Sequence, residues 1–305
     1  MDIQTLRKMR NADFGKINSE FEKSTSTTKS YQDDRIWKLE PDKVGNGTAT
    51  FRFLPRTEGD ELPWVRIFNH AFQGPTGKWY IENSLTTLDE KDPVGELNSK
   101  LWNSGSNVNK EIARKQKRRL SYISNILIIS DPKHPELEGK VMLFKYGKKI
   151  FDKIMDKARP TFEDEKPINA FDLWEGADFK MRMRKVDGYS NYDQSSFMEQ
   201  SQVAGGDENK LVEITSKQYK LSEFTDRKNF KSFETLSKKL ADVLDGEGVV
   251  SKSAEDLSED ETYRSPSSAS LTTNTATKPV TISKANSDDD EDVLSYFQKI
   301  ADESV

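Results

Sequence analysis

This sequence predicts a small closed β-barrel, mainly β with helices, carrying inserted loops. Three observations predict it. Short β-branched and aromatic runs recur between glycine-containing turns, at 48–55, 64–68 and 78–81. Residues 179–186 alternate apolar and cationic side chains with period two, the pattern of a strand with one face in a core. Residues 123–129 form a mostly apolar, β-branched run of strand length. Small barrels made of such strands fill their interior with one face of each strand.

Taken in order, residues 1–23 read as a short amphipathic helix or arm. Ile3, Leu6 and Met9 fall near helical spacing, with Arg7, Lys8 and Arg10 between and beside them. The run 24–30 is a Ser/Thr linker. Val44-Gly45-Asn46-Gly47 is a turn, and the strand 48–55 after it ends at Pro55. Gly74 and Gly77 turn the chain between the strands 64–68 and 78–81. Residues 83–110 are polar and read as an inserted loop or subdomain. A further strand is placed at 140–145, and a short helix begins at Phe151. Phe230, Phe233, Leu236, Leu240, Val243 and Leu244 follow helical spacing, with Gly246 as C-cap, and this helix closes the core. Residues 247–287, rich in Ser, Thr, Ala and acids, cannot bury enough surface to order themselves. Behind an acidic turn, Val293, Leu294, Phe297 and Ile300 share one helical face. The division is therefore 1–30 arm, 31–246 core and 247–305 acidic tail.

Composition narrows the chemistry. Of 305 residues only 33% are hydrophobic and 32% are charged, too polar for one packed globule of that length. There is no cysteine, so disulfides, thiolate metal sites and cysteine nucleophiles are excluded. No run of transmembrane length and no secretion signal is present, which points to the cytoplasm. The net charge of −5 hides an uneven distribution. Residues 110–160 hold 14 Lys/Arg against 6 Asp/Glu, whereas 251–305 hold 5 against 12. Phosphate-binding glycine loops and dinucleotide fingerprints are missing, and His134 lies in a turn sequence. A two-metal nuclease with scattered carboxylates stays open at this level. Enzymatic chemistry otherwise finds no support.

Binding chemistry finds more. The run Arg114-Lys115-Gln116-Lys117-Arg118-Arg119 leads straight into an apolar strand with Tyr122 at the join. A polyanionic backbone needs clustered cations, and unstacked bases need an aromatic face beside them. The pairing recurs: Lys78 with Trp79 and Tyr80, Lys145 with Tyr146, Lys148 and Lys149 close by, Lys185 with Tyr189 and Tyr192. Trp79 and Phe144 read as core. Core and stacking roles both stay open at Tyr80, Tyr122, Tyr146, Tyr189 and Tyr192. A solvated charge run before a core strand is the bland alternative. Single strands suit the pattern better than duplexes, which hide their base faces.

Motifs along 35–245 carry a resemblance. They include Arg52-Phe53-Leu54-Pro55, Asn69-His70, Gly77-Lys78-Trp79-Tyr80-Ile81-Glu82, Asn125-Ile126-Leu127, Glu138-Gly139-Lys140-Val141, Gly147-Lys148-Lys149-Ile150, Trp174-Glu175-Gly176-Ala177 and Gly188-Tyr189-Ser190-Asn191-Tyr192-Asp193. In these the chain resembles the single-stranded DNA-binding, helix-destabilising proteins of T-even-type bacteriophages. The resemblance implies an oligonucleotide-binding (OB-fold) barrel that coats single-stranded DNA cooperatively in replication, recombination and repair. It implies DNA contacts from Arg52, Lys78, Tyr80, Lys117, Arg118, Arg119, Tyr122, Lys145, Tyr146, Lys148, Lys149, Tyr189 and Tyr192. The arm, with Arg7, Lys8 and Arg10, would dock on a neighbouring protomer. The tail, with Asp288, Asp289, Asp290, Glu291, Asp292, Leu294, Phe297 and Ile300, would recruit polymerase, helicase-loading and recombination proteins. An interaction hub and an RNA-binding translational repressor are the rival readings.

Two departures from the family stand out. Its members usually hold one zinc on a histidine and three cysteines. His70 matches that histidine, but the cysteine positions read Ser84, Asp92 and Gly95. One imidazole and one carboxylate cannot close a tetrahedral site, so the expectation is no zinc and a structural His70. The arm's cations are also spread out, with no hydroxyl residue following them.

Overall fold

The computed structural model describes residues 33–162, 164–186 and 188–245. The arm cations Arg7, Lys8 and Arg10, Gly246, and the tail residues from Asp288 to Ile300 lie outside the described residues. Nine strands form one branched sheet: β1 (Ile36–Trp37), β2 (Gly47–Phe53), β3 (Val65–Gln73), β4 (Trp79–Asn83), β5 (Arg119–Ser130), β6 (Val141–Tyr146), β7 (Ala177–Val186), β8 (Tyr189–Asn191) and β9 (Ser196–Gln200). Five helices accompany them: α1 (Pro93–Trp102), α2 (Asn107–Lys115), α3 (Lys148–Ala158), α4 (Glu208–Ser216) and α5 (Phe233–Leu244).

The long strand β5 organises the sheet because different stretches of it meet different partners. Its first residues pair with β3 (Asn69 opposite Arg119, Val65 opposite Ile123). Its last pair with β2, and the stretch from Tyr122 to Leu127 pairs with β6. The main path runs β1-β6-β5-β2-β7-β8, antiparallel except for the parallel β1–β6 pair. Inward residues at every second position fill the concave side. Phe51 and Phe53 meet Phe144 and Phe179, and the Phe51–Phe144 ring centroids lie 5.0 Å apart. Each such buried side chain contributes about 1.5–3 kcal/mol.

A second apolar cluster joins the β3–β4 hairpin to α1 and α5 through Phe72, Tyr80, Val94, Leu236 and Leu240. Helix α5 begins where the Ser232 side chain accepts from the Thr235 N–H. Only glycine fits at position 74, where a Cβ would stand 2.0 Å from the Val243 carbonyl oxygen. This close approach seats the hairpin turn on α5.

The structure corrects several expectations. The predicted closed barrel is an open path, since no ladder among the described residues joins β1 to β8. The stretch 83–110, read as an inserted loop or subdomain, holds α1 and the start of α2. Strand β5 starts at Arg119, four residues before the expected 123, so Tyr122 lies within it. Helix α3 starts at Lys148, three residues earlier than expected. Tyr189 lies on the short strand β8. Among the described residues no helix is long and apolar enough to cross a membrane.

Candidate nucleic-acid interface

The two ends of the open sheet face each other across a cleft of about 110 Å³. Trp37, Lys38 and Leu39 line it from β1 and the segment after it, and Phe144, Lys145 and Tyr146 from β6. Met181 and Met183 of β7 and Ser190 and Tyr192 of the β8 segment line the opposite wall. Arg119 and Ser121, at the start of β5, complete the lining. The seam where a barrel would close is thus bordered by three cations and a half-buried tyrosine. Gly147 also lines it, and Lys148 and Lys149 follow on the first turn of α3. Gly147 is the N-cap there and gives no side-chain cap, so the N–H groups of that turn lie beside two exposed ammonium groups. Both lysines reach local carboxylates: Lys148 donates to Asp152 at 2.9 Å, and Lys149 stands 3.7 Å from Asp193.

Beyond the cleft, the outward positions of β7 expose Arg182, Arg184 and Lys185. Tyr189 is 59% exposed beside them, with a ring face open to a partner. Lys117 and Arg118 are exposed just before β5, and the Arg118 guanidinium lies 4.3 Å from the centre of the Phe68 ring. The structure therefore brings together Arg119, Lys145 and Tyr192, with Lys148, Lys149 and Tyr189 on flanking elements. Lys38, Met181 and Met183 were missed in the sequence. The only signal for Lys38 was its place after Trp37.

Five of the expected contact residues are engaged within the fold. Arg52 is 1% exposed and structural. Its Nε donates to Asp178 at 2.8 Å, and its Nη2 donates to the carbonyl and hydroxyl oxygens of Ser201 at 2.8 and 2.7 Å. Its Nη1 donates to the Asp172 carbonyl at 3.2 Å, so each guanidinium nitrogen has a partner inside the fold. Tyr80 is buried, stacked on Phe72 with centroids 5.1 Å apart, and burial pushes its phenol pKa up. Tyr122 lies flat on Phe151 at 3.9 Å and beside Tyr146 at 5.7 Å, so its faces are occupied by protein. Tyr146 is buried and its hydroxyl is hydrogen-bonded to the Ser124 hydroxyl at 2.9 Å. It still lines the cleft wall. Lys78 sits away from the cleft on the β3–β4 hairpin, donating to Asp242 of α5 at 2.6 Å.

The four positions that answer to a metal site in the resemblance do meet in space. Asp92 is the N-cap of α1; one carboxylate oxygen accepts from the Val94 and Gly95 N–H groups, the other from the Ser84 hydroxyl and the Leu85 N–H. His70 Nε2 stands 3.3 Å from Asp92 Oδ1, within ion-pair reach but off the line of a hydrogen bond. Burial works to raise the Asp92 carboxyl. The neighbouring imidazole and the Gly95 and Leu85 N–H groups outweigh burial and hold it at about 2. Both carboxylate oxygens are spent on hydrogen bonds, Gly95 brings no side chain, and no third His, Cys, Asp or Glu joins them among the described residues. The residues present do not fit a zinc ion.

An opened, cation-lined β-sheet whose seam forms a cleft defines a nucleic-acid-binding class of protein. The comparisons give the particular family. Residues 45–244 match the family model described as "gp32 DNA binding protein like". The chain is 42% identical over 221 residues to the single-stranded DNA-binding protein of Enterobacteria phage T2, covering 70% of this chain and 72% of that protein. It is 41% identical over the same length and shares to the namesake of Enterobacteria phage T4. A shorter match, 41% over 97 residues, links it to the single-stranded DNA-binding protein of Enterobacteria phage RB70, covering 30% of this chain and 79% of that protein. The chain belongs to this T-even-type phage family.

Proposed function

We propose that the chain is a non-enzymatic, sequence-tolerant single-stranded DNA-binding protein that coats and protects single strands in phage DNA replication, recombination and repair, in the host cytoplasm. The observation that carries the reading is the seam cleft, where Lys38, Arg119 and Lys145 meet Tyr192. A groove of cations that tracks a backbone, with aromatic faces for bases, binds single strands with little regard to sequence. We read the curved sheet as an opened OB-fold barrel. DNA contacts come from Arg119, Lys145 and Tyr192 in the cleft, with Lys117, Arg118, Lys148, Lys149 and Tyr189 at its margins. No zinc is needed, because hydrogen bonds to Asp92 hold the site that a metal would hold. The arm (Arg7, Lys8, Arg10) docks on a neighbouring protomer, making coating cooperative. The acidic tail recruits replication and recombination proteins.

Binding of an oligo-dT, the matching oligo-rU and a duplex of equal length, each over a salt series, tests the reading. Single-stranded DNA should bind more tightly than duplex at every salt. Its log–log slope should be roughly −0.7 per phosphate neutralised. Equal affinity for duplex overturns it, and tighter binding of RNA moves it to a message-binding repressor. Deleting 1–23 should weaken coating of long strands far more than binding of a short oligonucleotide, since docking acts only between neighbours.

A further inference from the structure

His70 reaches both helices of the α1–α2 insertion at their capped ends. It lies on β3 at 2% exposure. Its Nδ1 is 2.9 Å from the carbonyl oxygen of Gln116, the C-cap residue of α2. A carbonyl only accepts, so Nδ1 carries the proton there. Its Nε2 faces Asp92, the N-cap of α1. One imidazole thus bonds the end of α2 and packs against the start of α1. The residues that follow Gln116 are Lys117, Arg118 and Arg119, the densest cationic run near the cleft. Two residues before His70 on the same face of β3, the Phe68 ring lies under Arg118. The start of the run is held by His70 and its middle by Phe68. Its end, Arg119, is fixed by the β3–β5 ladder opposite Asn69. Asn69 and Arg119 both line the cleft.

We propose that His70, Asp92 and Phe68 form a metal-free clamp that positions the Lys117-Arg118-Arg119 run against the DNA cleft. His70 is a positioning residue: it acts through the Gln116 carbonyl and touches no DNA. Gln116 cannot drift because its own N–H is tied back to the Ile112 carbonyl at 3.1 Å. A cationic run held at three points presents its charges as a set. Released at its first point, it pays ordering entropy on binding. The proposal rests on the single-strand reading for its DNA arm and is independent of it for its conformational arm.

The test uses the full chain with His70→Leu, His70→Asn, Phe68→Leu and a triple Lys117→Ala, Arg118→Ala, Arg119→Ala variant. Oligo-dT binding over a salt series is measured well below each variant's melting temperature. His70→Leu should weaken binding about tenfold and make the salt slope shallower by roughly 0.7 to 1.4, one to two phosphates. His70→Asn, whose amide N–H can still reach the Gln116 carbonyl, should restore most of the loss. His70→Leu on top of the triple variant should cost nothing further, because the charges it positions are gone. A merely structural role would instead add its loss to the triple variant's. Trypsin cleavage after 117–119, read without DNA, should accelerate in His70→Leu and not in His70→Asn. If His70→Leu does not fold, the milder Phe68→Leu decides: about threefold weaker binding with faster cleavage supports the clamp. Unchanged slope and cleavage in folded His70→Leu or Phe68→Leu, fully additive losses, or one tightly held zinc per chain would each overturn it. Failure of the wild type to bind oligo-dT while the cleavage pattern holds would instead overturn the DNA reading alone.

Discussion

Whether a cation or a ring serves DNA or the fold is decided, residue by residue, by what already occupies its polar edge or its face. Arg52 and Arg119 look alike in sequence, each within three residues of a strand aromatic. Arg52 has its donors taken by Asp178 and Ser201, and Arg119 lines the cleft. Replacing Arg52 by Met should therefore leave Asp178 unpaired and cost about 3 kcal/mol of stability. Urea denaturation should show the loss, while oligo-dT binding by the folded protein stays within about twofold. A large binding loss with unchanged stability would return Arg52 to the interface. The tyrosines divide the same way. Tyr189→Ala removes an open ring face and should cost about 1–3 kcal/mol of binding with little change in melting. Tyr122→Ala removes a ring packed on Phe151 and should cost about 3–5 kcal/mol of stability. Paired binding titrations and melts on the two variants check the division, and the reverse pattern would refute it.

Elements were legible in the sequence where their periodicity was strong. The alternation of Lys180, Arg182 and Arg184 with Phe179, Met181 and Met183 announced β7 and its cationic outer face. The region of α1 and α2 reads only as an inserted loop or subdomain because, in α1, Gly95, Asn98 and Ser99 dilute the apolar stripe. Their local signal was present: Asp92 followed by Pro93 is an N-cap before a first-turn proline. Helix α4 was missed for the same reason, although Asp207 caps it through the Asn209 and Lys210 N–H groups. Arg52's role was illegible because its carboxylate partner lies 126 residues away. The cleft was half legible: its cations follow from composition, but the opening of the sheet depends on which strands fail to pair. One junction between elements carries a pH dependence. His134, in the β5–β6 turn, is hydrogen-bonded to Glu40 at 2.8 Å and Glu136 at 3.1 Å, and these carboxylates raise its pKa above the ordinary 6.5. A raised imidazole pKa stabilises the fold fully below the unfolded value and loses that contribution as pH rises through the folded one. The urea midpoint should fall slightly as pH rises above the ordinary imidazole value of about 6.5, and His134→Gln should remove that part of the fall. The effect is small because the ring is a third exposed. Identical pH profiles for the two proteins would show that the pair contributes nothing.

At the scale of the whole molecule, an overall acidic chain carries a basic middle and an acidic end. Residues 110–160 are net +8 and 251–305 net −7. Charges of opposite sign on one chain meet at an effective concentration set by the tether rather than by the solution. A tail tethered after α5 that reaches the cleft cations would compete with DNA for them without needing any specific contact. Removing 251–305 should therefore speed association with oligo-dT and promote duplex melting. Both gains should be largest at low ionic strength, where the Debye length reaches about 30 Å at 0.01 M, and fade towards 1 M, where it is about 3 Å. The salt slope separates this mechanism from simple loss of repulsion. A tail that occupies the cleft must leave before DNA enters, so the full chain should show a shallower slope than the truncated one: part of its counterion release has already occurred within the protein. A tail that merely repels DNA from a distance leaves the slope per bound phosphate alone. Stopped-flow association and equilibrium titration of both proteins, across at least a tenfold range of salt, distinguish the two. Parallel slopes with a constant offset would reject occupation of the cleft.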